Sequence, residues 1–379
     1  MPVLLKKIES IINGQAQSSP SALASLLAAA SVLYGAAQRI RADCYRHNLL
    51  PVKELPCTVI SVGNLTVGGT GKTPMTIHLA SNLQRDGLRV AVISRGYRGR
   101  AEKDGGIVSD GRRLLMNSEQ AGDEPYLIAS RLKDIPVVIG KNRYEAGLTT
   151  IDKFQPDVIV LDDAFQHRKL KRDLDLVLLD CARPFGNSHL LPRGGLREPA
   201  DALLRAGACI LTRSKGVTDD TISASTAAIK SIAPRLPVFT SFHEPYFYRV
   251  KGDAQTPLNA VDHFFPPDQM GDIRQQKVFG FSGIARNDDF RQTVLEAGFD
   301  IRGFSEFSDH HPYSGDDLAK MVGAARQVTA DCLITTEKDH ARIVPKMPLG
   351  MDLVVVGVRI AFNEDGQEFM AFINSRLTS

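Results

Sequence analysis

From residue 57 onward, short aliphatic and β-branched runs alternate with stretches whose apolar positions recur at helical spacing. The runs predict strands at 58–62, 89–94, 136–139, 157–161, 174–180, 208–212 and 237–240. Val158-Ile159-Val160-Leu161 and Val177-Leu178-Leu179 are apolar at successive positions, as in a strand buried on both faces. Strands and helices in strict alternation predict an α/β fold, a parallel sheet covered by helices. The pattern changes after residue 243. Tyr246-Phe247-Tyr248-Arg249-Val250 followed by Lys251-Gly252-Asp253 reads as a hairpin, and a second, smaller α/β series follows, with strands at 278–281, 332–335 and 353–358 and a helix over 288–297. The expected organisation is a helical region at 1–50, a main α/β unit at 51–243, a hairpin linker at 244–275 and a smaller α/β domain at 276–379, without internal repeats.

The stretch 11–38 carries no charged residue. A secretory signal is disfavoured, because the apolar part begins late, after Asn13, Gln15, Gln17 and Pro20, and no cleavable pattern follows. The apolar run 22–37 is Ala-rich and shorter than the ~20 strongly apolar residues that a bilayer core requires. Two readings stay open: a helix packed on its own domain, or an amphipathic helix in a membrane interface. Lys6 and Lys7 before the run, with Arg39, Arg41, Arg46 and Lys53 after it, suit anionic headgroups in the second case.

Bulk composition narrows the classes. The 379 residues suffice for two α/β units. A net charge of +3, from 46 Lys plus Arg against 43 Asp plus Glu, does not argue for nucleic acid as partner. Five scattered cysteines without a CxxC pair indicate neither a disulfide framework nor a zinc site, which fits a reducing, cytoplasmic setting.

The chemistry enters at Gly63-Asn64-Leu65-Thr66-Val67-Gly68-Gly69-Thr70-Gly71-Lys72-Thr73-Pro74, between a strand and a helix. Gly68, Gly69, Thr70 and Gly71 can wrap backbone N–H groups around phosphate oxygens, Lys72 supplies a point charge, and Thr73 can hold Mg²⁺. This is a P-loop, with Thr66 where the general pattern has Gly. A dinucleotide-binding GxGxxG loop fits worse, since the glycines are misplaced and Lys72 and Thr73 would have no task. The strand at 157–161 runs into Asp162 and Asp163, the acidic partners that a P-loop needs for Mg²⁺.

Together with Ser94-Arg95-Gly96-Tyr97, Gly122-Asp123-Glu124-Pro125, Asp162-Asp163-Ala164-Phe165-Gln166-His167, Leu196-Arg197-Glu198-Pro199, Asp309-His310-His311 and Thr336-Glu337-Lys338-Asp339, the P-loop resembles the successive signatures of the tetraacyldisaccharide 4′-kinases, the lipid A 4′-kinases of Gram-negative bacteria. The order matches, and the segments span about residues 57 to 340. One departure is Ala164, where the family has Gly. It is harmless if residue 164 needs no positive φ.

The resemblance implies an enzyme that uses ATP and Mg²⁺ to phosphorylate the 4′-hydroxyl of an acylated glucosamine disaccharide 1-phosphate. It also implies a peripheral or monotopic place on the cytoplasmic face of the inner membrane. By the same resemblance, Asp123 accepts the hydroxyl proton and His310 assists it, although Gly122-Asp123-Glu124-Pro125 by itself reads as a helix cap. Arg143, Gln166 and Arg197 would bind nucleotide or substrate phosphate, and Glu198 would join Thr73, Asp162 and Asp163 around Mg²⁺. The basic loop Arg95-Gly96-Tyr97-Arg98-Gly99-Arg100 would meet the substrate phosphate or lipid headgroups.

The main rival is a P-loop regulatory or partitioning ATPase at the membrane surface. That class carries a signature Lys where this chain has Val67, and neither Thr212-Arg213-Ser214-Lys215 nor Thr336-Glu337-Lys338-Asp339 matches the base-reading NKxD of the GTPases. A purely membrane-binding module leaves the P-loop unexplained. The assignment of Lys72 is tested by Lys72→Ala: phosphoryl transfer should fall to a small fraction while the thermal unfolding profile stays that of the parent, since a phosphate-binding Lys contributes little packing.

Overall fold

The computed structural model describes residues 22–252 and 275–377. Helix α1 (Ala22–Arg46) precedes the sheet. The chain then runs β1 (Thr58–Asn64), α2 (Lys72–Arg85), β2 (Val90–Ser94), β3 (Gly106–Ser109), α3 (Ser118–Ala121), α4 (Asp123–Arg131), β4 (Val137–Ile139), α5 (Arg143–Phe154), β5 (Val158–Asp162), β6 (Leu174–Asp180), β7 (Ala208–Thr212), α6 (Asp219–Ile232) and β8 (Val238–Val250). A second series follows: β9 (Lys277–Ser282), α7 (Asn287–Glu296), β10 (Asp300–Glu306), α8 (Gly315–Gln327), β11 (Cys332–Thr336), α9 (Glu337–Ile343), β12 (Leu353–Phe362) and α10 (Gly366–Leu377). Every expected strand is present. The additional strands β3 and β10 have weak patterns: β3 is 4 residues long, and β10 is interrupted by Arg302 and Gly303.

All twelve strands form one sheet, in the order β10-β9-β11-β12-β8-β7-β6-β1-β5-β2-β4-β3. Its interior strands are buried along almost their whole length, which is why they read as unbroken aliphatic runs. The expected boundary at 243/244 falls inside β8, a 13-residue strand. Near its start β8 pairs parallel with β7, Cys209 opposite Val238. From Ser241 to Val250 it pairs antiparallel with β12, Phe362 opposite Ser241 and Leu353 opposite Val250. Residues 246–250 therefore pair with a strand about a hundred positions later, a partner that alternation alone does not reveal. The return arm of the expected hairpin lies outside the described residues.

This reversal places the functional edge. β9, β11 and β12 are mutually parallel but antiparallel to β8, so the C-terminal ends of both blocks of parallel strands converge on one cleft. Ligands of open α/β sheets bind at that end of the strands. The two series also share a core. Phe239 of β8 meets Phe369 of α10 edge-on at 5.3 Å between ring centroids, and Ile60, Met75 and Leu79 belong to the same cluster as Phe281, Leu318 and Phe369.

Across the cleft, α4 and α9 are joined by ion pairs along their length. Asp123 Oδ2 accepts from Arg342 Nε at 2.6 Å, Lys338 Nζ donates to Glu124 Oε1 at 2.6 Å, and Arg131 pairs with Glu337. The Lys338 ammonium, helped by Lys72 and His310, outweighs burial and holds the Glu124 carboxyl down to about 2. The folded state thus favours ionised Glu124. Its contribution to stability is complete above the ordinary carboxylate range and is lost as pH falls from about 4.5 toward 2.

β1 and β5 lie side by side with Val62 level with Asp162. A Cβ on Gly63 would sit 2.5 Å from Phe165 Cβ and 2.9 Å from Phe165 N. The loop after β5 therefore crosses the end of β1 in direct backbone contact.

Two outcomes follow from these contacts. Gly63→Ala should lower stability by about 1–3 kcal/mol in denaturant titration, the usual cost of overpacking, and weaken nucleotide binding in the same samples. Glu124→Gln should lower the thermal midpoint at neutral pH, with the gap to the parent narrowing between pH 4.5 and 2 in a pH series of unfolding curves.

Candidate active site

The P-loop leaves the end of β1 and is braced before it turns. Val67 N donates to Gly195 O and Arg197 N to Leu65 O, both at 2.7 Å, so the loop opens as a short antiparallel ladder with residues 195–197. Thr66 is extended there, in a bridge with Leu196, which is why Thr is accepted where the general motif has Gly. The positive φ values fall at Gly68 and Gly71, where the motif supplies glycine. Asn64 Nδ2 ties the loop internally, donating to Thr66 O at 2.6 Å and Thr70 Oγ1 at 3.0 Å. Helix α2 has no side-chain cap and no acidic residue in its first turn, so its leading N–H groups face the loop unspent and attract anions. Arg213, at the end of β7, donates to Gly69 O at 2.6 Å. The sequence offered Arg213 only as part of a failed base-reading motif.

The two aspartates differ sharply. Asp162 is buried, its Oδ1 accepting from Thr76 Oγ1 at 3.2 Å and Oδ2 from Ser94 Oγ at 3.0 Å. Burial, with Glu124 and Asp163 nearby, pushes its carboxyl up to about 7. Asp163 takes the positive φ of the following turn, so Ala164 is unstrained in place of Gly. Its carboxylate faces Lys72 Nζ at 3.8 Å and Arg197 Nη1 at 2.8 Å. Thr73 is buried at the start of α2. No cluster of three or more His, Cys, Asp or Glu side chains suited to a metal occurs among the described residues. Mg²⁺ is commonly held by one or two carboxylates together with substrate phosphates, and the crowded negative charge around Asp162 with the Thr73 hydroxyl suits that arrangement.

Three expected ligands are differently engaged. Both Glu198 carboxylate oxygens carry guanidinium partners, Oε2 accepting from Arg168 Nη2 at 2.6 Å and Oε1 from Arg205 Nη2 at 2.8 Å, so the buried side chain clamps two arginines. Gln166 spends its amide on Asn64 O at 2.8 Å and thereby bolts the loop after β5 to the end of β1. Arg143 is buried at the start of α5 with Nη1 on Gly140 O, and Asp162 and Asp163 act on its charge, while burial lowers its pKa to about 10. Of the expected phosphate ligands, Arg197 stands nearest to the acidic pair.

Asp123 begins α4, but the helix is capped by Gly122 without a side-chain hydrogen bond, so the capping expectation is not met. Its carboxylate turns instead to the second series, where Oδ2 lies 3.0 Å from His310 Nδ1 and 2.6 Å from Arg342 Nε. The hydrogen bond with His310 and the Arg342 charge outweigh burial and hold the Asp123 carboxyl below the usual range. The adjacent histidines diverge as expected: His311 stacks on Phe307 and reaches Asp317 Oδ2 at 3.2 Å. Tyr97 of the basic loop meets the His310 ring edge-on. Arg342 and the pair Glu124–Lys338 are the site residues that sequence reasoning missed. The signal available was that Lys338 lies in one of the recognised segments.

Helix α1 sits at the rim of this site. Only Leu27, Ser31 and Gly35 are buried, and Leu26, Val32, Leu33 and Ile40 are exposed. Ser31 Oγ donates to Leu190 O, Tyr34 Oη to Arg197 O and Arg41 Nη2 to Gln166 O, at 2.7–3.0 Å. One stripe docks on the protein, as the first reading of this helix expects, and the remaining apolar surface is exposed. It is long and apolar enough to cross a membrane by length and composition.

A family model described as tetraacyldisaccharide-1-P 4'-kinase matches residues 23–378. The tetraacyldisaccharide 4'-kinase of Desulfatibacillum aliphaticivorans is 36% identical over 382 aligned residues, covering 100% of this chain and 99% of the relative. That of Geobacter metallireducens is 40% identical over 322 residues, covering 85% of this chain and 89% of the relative. The crystal structure of LpxK from Aquifex aeolicus in complex with ATP superposes with a TM-score of 0.72 at 30% identity, covering 94% of this chain and 99% of that one. The chain belongs to the tetraacyldisaccharide-1-phosphate 4′-kinase family.

Proposed function

We propose that this protein transfers the γ-phosphoryl group of ATP to the 4′-hydroxyl of a tetraacylated glucosamine disaccharide 1-phosphate. The observation that carries the reading is the pairing of Asp123 with His310 across the cleft from a complete P-loop, in a chain that matches the kinase family over nearly its whole length. The P-loop amides and Lys72 hold the β- and γ-phosphates, and Arg197 steadies them from the opposite side. Thr73, Asp162 and Asp163 would hold Mg²⁺, which neutralises charge on the phosphates when bound. The hydroxyl proton passes to the Asp123 carboxylate as its oxygen attacks phosphorus, and His310 keeps that carboxylate oriented. The free apolar surface of α1, with the flanking arginines, rests in the anionic surface of the inner membrane, where the acyl chains of the acceptor lie.

Labelled ATP offered with a panel of glycolipids should mark only the disaccharide 1-phosphate. ATP hydrolysis with no labelled lipid would point to the regulatory ATPase. Within this reading, Asp123→Asn should lower kcat by about 10²–10⁴ with KM for ATP little changed, because the amide takes no proton. Since Arg342 keeps Asp339 as a partner, the same substitution should cost no more than about 1–3 kcal/mol in unfolding titrations. Combined with His310→Ala, it should be hardly worse than the poorer single variant. Near-normal turnover in Asp123→Asn would refute the base assignment.

A further inference from the structure

We infer that Arg342 is a positioning residue for the phosphoryl transfer: it keeps Asp123 ionised and fixes which of its two oxygens receives the proton. The inference rests on the reading of Asp123 as the base. Arg342 lies near the end of α9, its side chain only 6% exposed. Three bonds leave it little freedom: Nε to Asp123 Oδ2 at 2.6 Å, and Nη1 to Gly283 O and to Asp339 Oδ1, each at 2.8 Å. Asp339 is itself immobilised, fully buried and receiving Tyr313 Oη at 2.9 Å, Thr336 Oγ1 at 2.6 Å and Gly283 N. The guanidinium is therefore presented by a rigid network belonging to the second series. Its planar fork suits that task better than an ammonium would.

At Asp123 the Arg342 and His310 nitrogens both fall on Oδ2, and Oδ1 makes no hydrogen bond among the described residues. Oδ2 is thus the anchored oxygen and Oδ1 the basic one. In the transfer step the 4′-oxygen forms its bond to the γ-phosphorus while the bond from phosphorus to the β,γ-bridging oxygen breaks, ADP leaves with that electron pair, and the hydroxyl proton goes to Oδ1. Arg342 Nη2 also lies 3.4 Å from His310 Nδ1, so the guanidinium touches both members of the pair.

The titratable and charged groups around Asp123 are His310, with Asp309 at 3.8 Å from its Nε2; Glu124 on its own helix, paired to Lys338 and acted on by Lys72; and Arg342 with Asp339 on α9. Among the described residues, Arg342 is the permanent cation in direct contact with the carboxylate. Its removal should raise the carboxyl pKa, because an opposite charge in direct contact favours the ionised form.

The test is the pH dependence of kcat/KM for the disaccharide acceptor at saturating ATP, in which the acid limb reports groups of the enzyme before the acceptor binds. In Arg342→Gln the acid limb should move up by about 1–3 pH units. In Asp339→Asn, which leaves Asp123 as the one carboxylate of this network paired with the guanidinium, it should move down. An unmoved limb in folded Arg342→Gln would overturn the inference, and should that variant fail to fold, an unmoved or raised limb in Asp339→Asn would do so. Asp123→Asn in the same assay separates the two levels. If it retains turnover the base reading fails, whereas a large loss with an unmoved limb in the Arg342 and Asp339 variants removes only the role of Arg342.

Discussion

The contact between the end of β1 and the loop after β5 sets the geometry of the phosphate site. Because Val62 is level with Asp162 and Gly63 has no side chain, Phe165 crosses the end of β1 at backbone distance, and Gln166 closes the crossing with a hydrogen bond to Asn64. The P-loop starts from one side of this contact and the acidic pair from the other. Lys72 then meets Asp163, and Asp162 sinks between the hydroxyls of Ser94 and Thr76. Residues 195–197 complete the frame as a third strand against the loop. The strands that frame the phosphate side of the site are thus neighbours in the sheet.

The surroundings of Asp123 are different, since the carboxylate and the groups that hold it come from opposite sides of β8. Asp123 and Glu124 stand on α4, and His310, Lys338 and Arg342 approach from the second series. Charges at such a seam are costly to desolvate, and an apolar seam of similar shape would serve stability at least as well. Their arrangement has a specific result: the Asp123 carboxylate is held at once by the loop before α8, through His310, and by α9, through Arg342.

Much of this was legible in the sequence, for reasons that also explain the gaps. Doubly buried strands have no polar alternation to hide them, so β1, β5, β6 and β7 could be located to within a residue or two. The P-loop and Asp162-Asp163 were legible because phosphate and Mg²⁺ chemistry restricts residue type and spacing locally. The bonding of Glu198 to Arg168 and Arg205 was not legible, because a carboxylate beside Arg197 looks the same in sequence whichever cations it meets. Arg342 was invisible for a related reason: its task depends on Asp123, which is distant in sequence, and no local pattern marks it. The pairing of β8 with β12 is a long-range choice of the same kind.

The docking of α1 has a consequence for how this protein can be dissected. Three of its side chains donate to backbone carbonyls of loops that shape the phosphate site, at Leu190, Arg197 and Gln166. The helix is thus a buttress as well as a surface element, and its removal would leave those loops without support next to Asp163. The two duties are separable only by changing one face of the helix at a time: Leu26, Val32, Leu33 and Ile40 for the outward face, and Ser31, Tyr34 and Arg41 for the inward one.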